Sequence, residues 1–351
     1  MAKLRVLNQE AIEGAIDMRS VIKAVEDAYV QKSSGEAVVF PLIFYEFEPG
    51  KADMDIKSGY LKGADIFGLK LVSWFGENTG KGLPALVGTV MVLDSRTGMP
   101  LGILNGEYIT CMRTGAAGGI GAKYLARKDS RNLLMVGSGH QAPFQIAATL
   151  EIMEGIERVM VYNPNSLDRA KGFCRKVPQI LRNKFLDKYS DDREHYELIR
   201  ERYEVEFEAV EDIEKAAGEA DIIITATPSR KPLIMKEWIK GGTHISCIGA
   251  DMEGKQELDE GLFQNARVFA DDITQAVNVG ECEVPIKKGI ISEEDIAGEI
   301  GRLIMGSIPG RLSDDDITIY DSTGIALQDL ITANLVIGKA EAMGLGVVVD
   351  L

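Results

Sequence analysis

Six residues, Gly137-Ser138-Gly139-His140-Gln141-Ala142, restrict this chain to a narrow set of folds. They are preceded by RNLLMV, an apolar run of strand length, and followed by PFQIAATLEIMEG, which reads as a helix. A glycine turn between a strand and a helix is the GxGxxA dinucleotide fingerprint in the context it needs. Gly137 permits the tight turn, Gly139 lets backbone approach a pyrophosphate, and Ala142 is small enough for close helix–strand packing. The free N–H groups at the helix start face the phosphates, with Ser138, His140 and Gln141 completing the loop. Downstream, VMVYN, YEVEFEAV, DIIITAT, THISCIGAD and ARVFADD alternate with helical segments such as EDIEKAAGEA and MKEWIK. That alternation predicts an α/β fold with a Rossmann-type, doubly wound parallel sheet.

The end of the second strand discriminates between cofactors. A carboxylate there holds the ribose hydroxyls and signals NAD. This sequence has Asn163, then Ser166 and Arg169. Asn accepts and donates hydrogen bonds but does not repel a 2′-phosphate, so the expected cofactor is NAD or NADP.

The first third reads differently. LRVLN suggests a strand and MRSVIKAVEDAYVQKSSG a helix. VVFPLIFYEF, FGLKLVSW, ALVGTVMVLD and PLGILNG are apolar segments broken by turn residues, as in an antiparallel sheet or open barrel. A helix of small residues follows, YITCMRTGAAGGIGAKYLA, and the last helix, IALQDLITANLVIGKAEAMG, is expected to return to this domain. The reading is a second α+β domain for substrate and dimerisation, residues 1–128 with 322–351, beside a dinucleotide domain of 129–321. The charged stretch 168–203 reads as a solvent-exposed helical insertion.

Composition excludes several function classes. At 351 residues and 45% hydrophobic, the chain has enough apolar material for two domains. Its formal net charge of −15 opposes binding to a phosphate backbone, so no nucleic-acid partner is expected. No run of 18 apolar residues suggests a membrane span, and MAKLRVLNQEAIEGA lacks the apolar core of a signal peptide. Cys111, Cys174, Cys247 and Cys282 form no CxxC pair and lie in no zinc-type cluster, so no metal site and a cytoplasmic, reduced setting are expected. Of the three histidines, His140 reads as solvent-facing in the loop, His195 as exposed, and His244 as structural at the start of a buried strand.

Three ionisable residues sit in unusual company. Lys70 lies mid-strand between Leu69 and Leu71; it either points to solvent or faces a cleft, and spacing alone favours solvent. Arg113 precedes a run of glycines and alanines that admits a close backbone or ligand. It suits bidentate carboxylate binding or an interdomain salt bridge. Asp251 follows a parallel strand at its carboxyl end, where such sheets bind ligands; it also suits a helix cap or turn.

GSGHQA, MRTGAAGGIGAKYLARK, TPSRKPLIMKEWIKGGTHISCIGAD, GKQELD and IYDSTGIALQD together resemble the ornithine cyclodeaminase/mu-crystallin family, its archaeal alanine dehydrogenase type most closely. The resemblance runs from about residue 5 to 340. It implies a homodimer paired through N-terminal domains, an active site between domains, and a small amino-acid or imino-acid substrate. It implies that Lys70 and Arg113 hold the substrate carboxylate and that Asp251 exchanges a proton at the α-amino group. Thr114, Thr225, Ala226, Thr227, Ile248, Gly249 and Ser322 are then implied cofactor contacts. Counting back from Lys70, Lys57 falls where cyclodeaminases have a glutamate and the alanine dehydrogenase type an arginine. A cation there suits a neutral or acidic amino acid, whereas ornithine would need the glutamate. Oxidative deamination or imine reduction is the implied activity, with ornithine cyclodeamination and non-catalytic dinucleotide or ligand binding as alternatives.

Overall fold

The computed structural model describes residues 3–351. The chain divides into two compact units. Of the described residues, one comprises 3–16, 23–113 and 325–351, the other 17–22 and 114–324.

The first unit is built on strands β1 (Lys3–Leu7), β2 (Ala37–Val39), β3 (Ile43–Glu48), β4 (Ala52–Leu61), β5 (Ile66–Phe75), β6 (Leu86–Asp94) and β7 (Pro100–Asn105). With the C-terminal strand Val347–Asp350 they form one sheet. Its order runs from that strand through β1, β7, β6, β5 and β4 to β2, and β3 also pairs with β4. All pairings are antiparallel except β1 with β7. The antiparallel expectation holds, and the structure adds β4, whose polar sequence ADMDIKSGYL hid a strand.

Helix Ala326–Met343 covers one face of this sheet, and glycines set how closely it lies. Gly59 is paired with Gly68, Gly68 with Val92, and Val92 with Gly102, so the three glycines share one row across the strands. A Cβ at Gly59 would lie 2.8 Å from Leu327, at Gly68 2.9 Å from Leu330, and at Gly102 2.7 Å from Ile337. Close approach carries Asp329 of that helix into the same covered face.

The second unit is a parallel sheet of β8 (Asn132–Val136), β9 (Arg158–Tyr162), β10 (Glu206–Ala209), β11 (Ile222–Thr225), β13 (His244–Cys247), β15 (Ala266–Ala270), β16 (Ile296–Glu299) and β17 (Ile317–Asp321). Beside it, β12 (Arg230–Ile234) and β14 (Gln256–Leu258) form a separate pair. The main sheet runs β10-β9-β8-β11-β13-β17-β15-β16, so its winding reverses between β8 and β11, the position where such sheets bind ligands. Leu134, Val136, Ile223, Ile245 and Ile319 fill its core. These strands are buried on both faces, which is why they read as unbroken apolar runs.

The sequence reading sets the domain break at 128/129 and 321/322; the compact units divide at 113/114 and 324/325, with 17–22 joining the second. The cut falls inside one helix, Gly106–Leu125. From Gly115 onward its small residues pack on the parallel unit: a Cβ at Gly115 would lie 2.6 Å from the Phe144 carbonyl oxygen, and one at Gly121 2.5 Å from Tyr320. The 168–203 stretch is not simply a solvent-exposed insertion. Helices Leu167–Lys184 and Arg193–Tyr203 are amphipathic and bury Ala170, Val177, Leu181, Ile199 and Tyr203. Phe185 meets Phe144 edge-on at 5.4 Å, and Tyr189 donates a 2.6 Å hydrogen bond to the buried Glu151. His195, expected to be exposed, packs edge-on against Tyr189 and lies 3.4 Å from Glu151.

Candidate active site

In the parallel unit, the six-residue loop leaves β8 and enters helix Ala142–Ile152. Gly137 takes φ +112°, and a Cβ there would stand 2.7 Å from the Ala226 carbonyl oxygen. Only glycine fits both constraints. A Cβ at Gly139 would meet nothing within 4 Å, so the middle of the loop opens on space. His140 is exposed, as expected, with its ring edge toward Phe144, while Ala142 is buried against the strand. An open glycine followed by a helix start is a fitting cradle for a pyrophosphate.

Asn163, at the end of β9, is tied to that loop. Its Nδ2 donates to Ser138 Oγ at 2.7 Å, and its Oδ1 accepts from the N–H of Asn165 at 2.9 Å and of Ser166 at 3.2 Å. The first turn of the next helix carries Arg169 close by in sequence, with its N–H donating to Ser166 Oγ.

Of the other implied cofactor residues, Thr225, Ala226, Thr227, Ile248, Gly249 and Ser322 collect at the carboxyl ends of β11, β13 and β17, whereas Thr114 lies within helix Gly106–Leu125. Ile248 N–H donates to the Thr225 carbonyl at 2.9 Å, and Ser322 N–H to the Cys247 carbonyl at 3.0 Å. Thr227 spends both its N–H and its hydroxyl on Glu257, each at 2.7 Å. The Ser322 hydroxyl lies 3.4 Å from Asp271, a buried carboxylate that also accepts from Thr323 Oγ and Gly324 N–H. Thr114 offers its carbonyl to Gln145 at 2.8 Å. Asp251 is half-exposed in the loop after β13 and is ion-paired with Lys255. Sequence reasoning passed over Glu257 and Asp271, which hold these loops.

In the antiparallel unit, Lys70 is buried, not solvent-directed as spacing suggested. The helix Ala326–Met343 covers its face of the sheet and supplies the partner that makes burial tolerable. Lys70 Nζ lies 2.9 Å from Asp329 Oδ2, and Arg113 Nε donates to Asp329 Oδ1 at 3.1 Å. These side chains are 3%, 8% and 0% exposed for Lys70, Arg113 and Asp329. Arg113 Nη1 donates to Gln328 Oε1 at 3.0 Å, and Gln328 Nε2 donates to the Tyr29 hydroxyl. Thr110, one turn before Arg113, accepts from Lys70 at 3.4 Å. Arg113 is thus paired within its own unit. Lys57 is directly opposite Lys70 on the neighbouring strand and so shares its face.

The electrostatics follow from this packing. Burial pushes the Lys70 ammonium down to about 8; Asp329 resists the fall, and Arg113 and Lys57 add to it. Burial also pushes Asp329 up, but Arg113 and Lys70 outweigh it and hold the carboxyl below its ordinary range. Asp329 is the residue the sequence reading missed here. Its signal was a Gln-Asp pair inside an otherwise apolar helix. Elsewhere His244 is structural as expected: buried, bonded to Thr318 and Ser246 at 3.0 Å each, and pushed down by burial to about 3. Among the described residues no group of acidic, histidine or cysteine side chains is arranged to hold a metal ion, and no helix is long and apolar enough to cross a membrane.

The chain is similar along its whole length to characterised proteins. It is 38% identical over 341 residues to an alanine dehydrogenase of Archaeoglobus fulgidus, covering 97% of this chain and 96% of the relative. An iminosuccinate reductase of Paracoccus denitrificans is 33% identical over 346 residues, covering 99% of each. Among solved structures, an archaeal alanine dehydrogenase dimer with bound NAD superposes with a TM-score of 0.87 at 36% identity, covering 100% of both chains. The sequence model of one family matches residues 3–344, and the chain therefore belongs to the ornithine cyclodeaminase/mu-crystallin family.

Proposed function

We propose that this protein is a cytoplasmic, homodimeric NAD(P)-dependent oxidoreductase that oxidatively deaminates a small neutral or acidic L-amino acid, or reduces the corresponding imine. One observation carries the reading: Lys70 and Arg113 are both buried, and a single carboxylate, Asp329, stands between them. Two buried cations share that one carboxylate, Lys57 stands opposite Lys70, and the fork of Arg113 suits a carboxylate of the substrate.

A dinucleotide held along Gly137–Ala142, Asn163, Thr114 of helix Gly106–Leu125 and the strand ends at Thr225–Thr227, Ile248, Gly249 and Ser322 would take hydride from the α carbon or return it. The protein's own residues do the rest. Lys70 and Arg113 fix the carboxylate and so orient the α carbon. Asp251 accepts a proton from the α-amine, releases it to solvent, then accepts one from the water that attacks the imine and returns it to the departing ammonia. Lys57 disfavours a second amine in the substrate and hence ornithine. The relatives named above bear alanine dehydrogenase and iminosuccinate reductase activities, which supports small and acidic substrates alike. Pairing of two copies is supported by the exposed apolar strand β3, with Ile43, Phe44, Tyr45 and Phe47 each more than half exposed.

The test is a panel of L-amino acids with NAD and NADP, and of 2-oxo acids with ammonia and the reduced cofactors. Alanine or aspartate and their 2-oxo acids are expected to change nicotinamide absorbance. Turnover of ornithine alone would establish a cyclodeaminase instead. Cofactor binding with no turnover of any member would establish a binding protein.

A further inference from the structure

The loop Gly249–Glu257 carries Asp251, and its two ends meet. Gly249 N–H donates to Glu257 Oε2 at 3.0 Å, while Thr227 N–H and Thr227 Oγ both reach Glu257 Oε1 at 2.7 Å. One carboxylate therefore ties the end of β11 to the end of β13 and closes the base of the loop. The approach is tight: a Cβ at Gly249 would lie 2.3 Å from the Thr227 carbonyl oxygen and 2.4 Å from Glu257 Oε2. Glu257 is itself anchored, its N–H donating to Glu281 Oε1 at 2.8 Å, with Leu258 N–H on the same oxygen at 2.6 Å. Midway along the loop, the Asp251–Lys255 pair spans it, and Lys255 N–H bonds the Met252 carbonyl at 3.1 Å.

Glu257 is fully buried and has no basic ion-pair partner among the described residues. Burial pushes its carboxyl up to about 7 despite these donors. A carboxyl so placed is expensive to keep, and simple packing would be served better by an apolar side chain. Its arrangement answers a narrower need. Three donors converge on it, and only a group that accepts on both oxygens satisfies all of them.

We propose that Glu257 is a positioning residue: by clamping Thr227 to Gly249 it sets where the Asp251 loop and the strand end beneath it stand during hydride transfer. This rests on the assignment of Asp251 as the proton-transfer residue.

The decisive variant is Glu257→Gln. Its amide oxygen can still accept from one side of the clamp, but its NH2 group meets an N–H donor on the other. Expected results for the folded variant are a kcat lower by about tenfold or more, with the amino-acid KM and the NADH dissociation constant each within about threefold of the wild type. A general structural defect would move all three together, and that outcome overturns the proposal, as does a kcat within twofold of wild type. If Glu257→Gln does not accumulate folded, Thr227→Val removes one donor and introduces no new polar group. At saturating NADH it is expected to lower kcat by about threefold with the amino-acid KM unchanged, and an unaltered kcat overturns the proposal. Amide hydrogen exchange separates failure of this inference from failure of the functional reading. Whether or not the wild type turns over an amino acid, the clamp requires faster exchange at Thr227 and Gly249 in whichever variant folds, and unchanged exchange there refutes it.

Discussion

Asp329→Asn tests the buried charge cluster with almost no change of shape. The substitution removes the negative charge that stands 2.9 Å from Lys70 and 3.1 Å from Arg113, and leaves two cations under a closed helix. Removing one partner of a buried pair costs about 3–5 kcal/mol. The structure offers one relief: Lys70, already pushed down to about 8, loses the group that chiefly holds it up and gives away its proton. At pH 7 that relief costs about 1.4 kcal/mol, for the one unit between 7 and the wild-type value of about 8, so it can hold the loss toward the lower end of that range. Spread over 351 residues, a loss of about 3–5 kcal/mol lowers Tm by about 4–7 °C. The pH dependence has a definite sign. A lysine whose folded pKa lies below its unfolded value leaves the unfolded state holding more protons between the two, so stability rises with pH in that window. The deficit against wild type should therefore shrink from pH 7 toward pH 8. Function follows the same proton. In the wild type, kcat/KM should fall as pH rises past about 8, where free Lys70 loses its charge, and in Asp329→Asn that limb should move to lower pH. Thermal unfolding at pH 7 and 8 and a kcat/KM profile measure both effects. A Tm within about 1 °C of wild type, together with an unmoved alkaline limb, would refute the charge argument.

Three further outcomes are expected. Asp251→Asn should lower kcat by about 10²–10⁴ while NADH still binds; more than half the wild-type activity would remove Asp251 from proton transfer. Asn163→Asp keeps the bonds to the N–H groups of Asn165 and Ser166 and adds a charge, so kcat/KM with NADP should fall much more than with NAD, and an unchanged ratio would show that Asn163 does not face the ribose. Gly118→Ala places a Cβ 2.0 Å from Gln145 Oε1 and should destabilise by about 1–3 kcal/mol, whereas Gly338→Ala, with nothing within 4 Å, should stabilise by about 0.5–1 kcal/mol; equal melting temperatures would contradict the packing described.

The parallel unit was legible because its signals are local. Strand, glycine turn and helix follow one another within residues 132–152, and doubly buried strands such as Ile222–Ile224 are apolar without interruption. Asn163 and Asp251 could likewise be placed from their position after a strand. The antiparallel unit was less legible because its logic is long-range. Whether Lys70 points to water or inward depends on a helix more than two hundred residues later, and alternation within FGLKLVSW carries no trace of it. Glu257 was hidden for another reason: its role comes from where β14 lies beside β12, and QEL is too short to announce a strand. The charged helices at 168–203 misled because composition reports the wet face of an amphipathic helix more loudly than the dry one.

The row Gly59, Gly68 and Gly102 bears on how the protein is made. Strands β1 to β7 of the sheet holding that row are complete in sequence by Asn105, but the helix that closes it begins only at Ala326. Between the two portions of this unit lie residues 114–324, which is 211 residues of the other. At about 5–20 residues per second, a ribosome needs roughly 10–40 s to synthesise them. Throughout that interval the nascent chain carries an uncovered apolar sheet face with Lys70 and Arg113 on or beside it and no Asp329 to neutralise them. The interrupted unit must therefore wait, while every residue of the dinucleotide-type unit, 17–22 with 114–324, has been synthesised and is free to finish folding first.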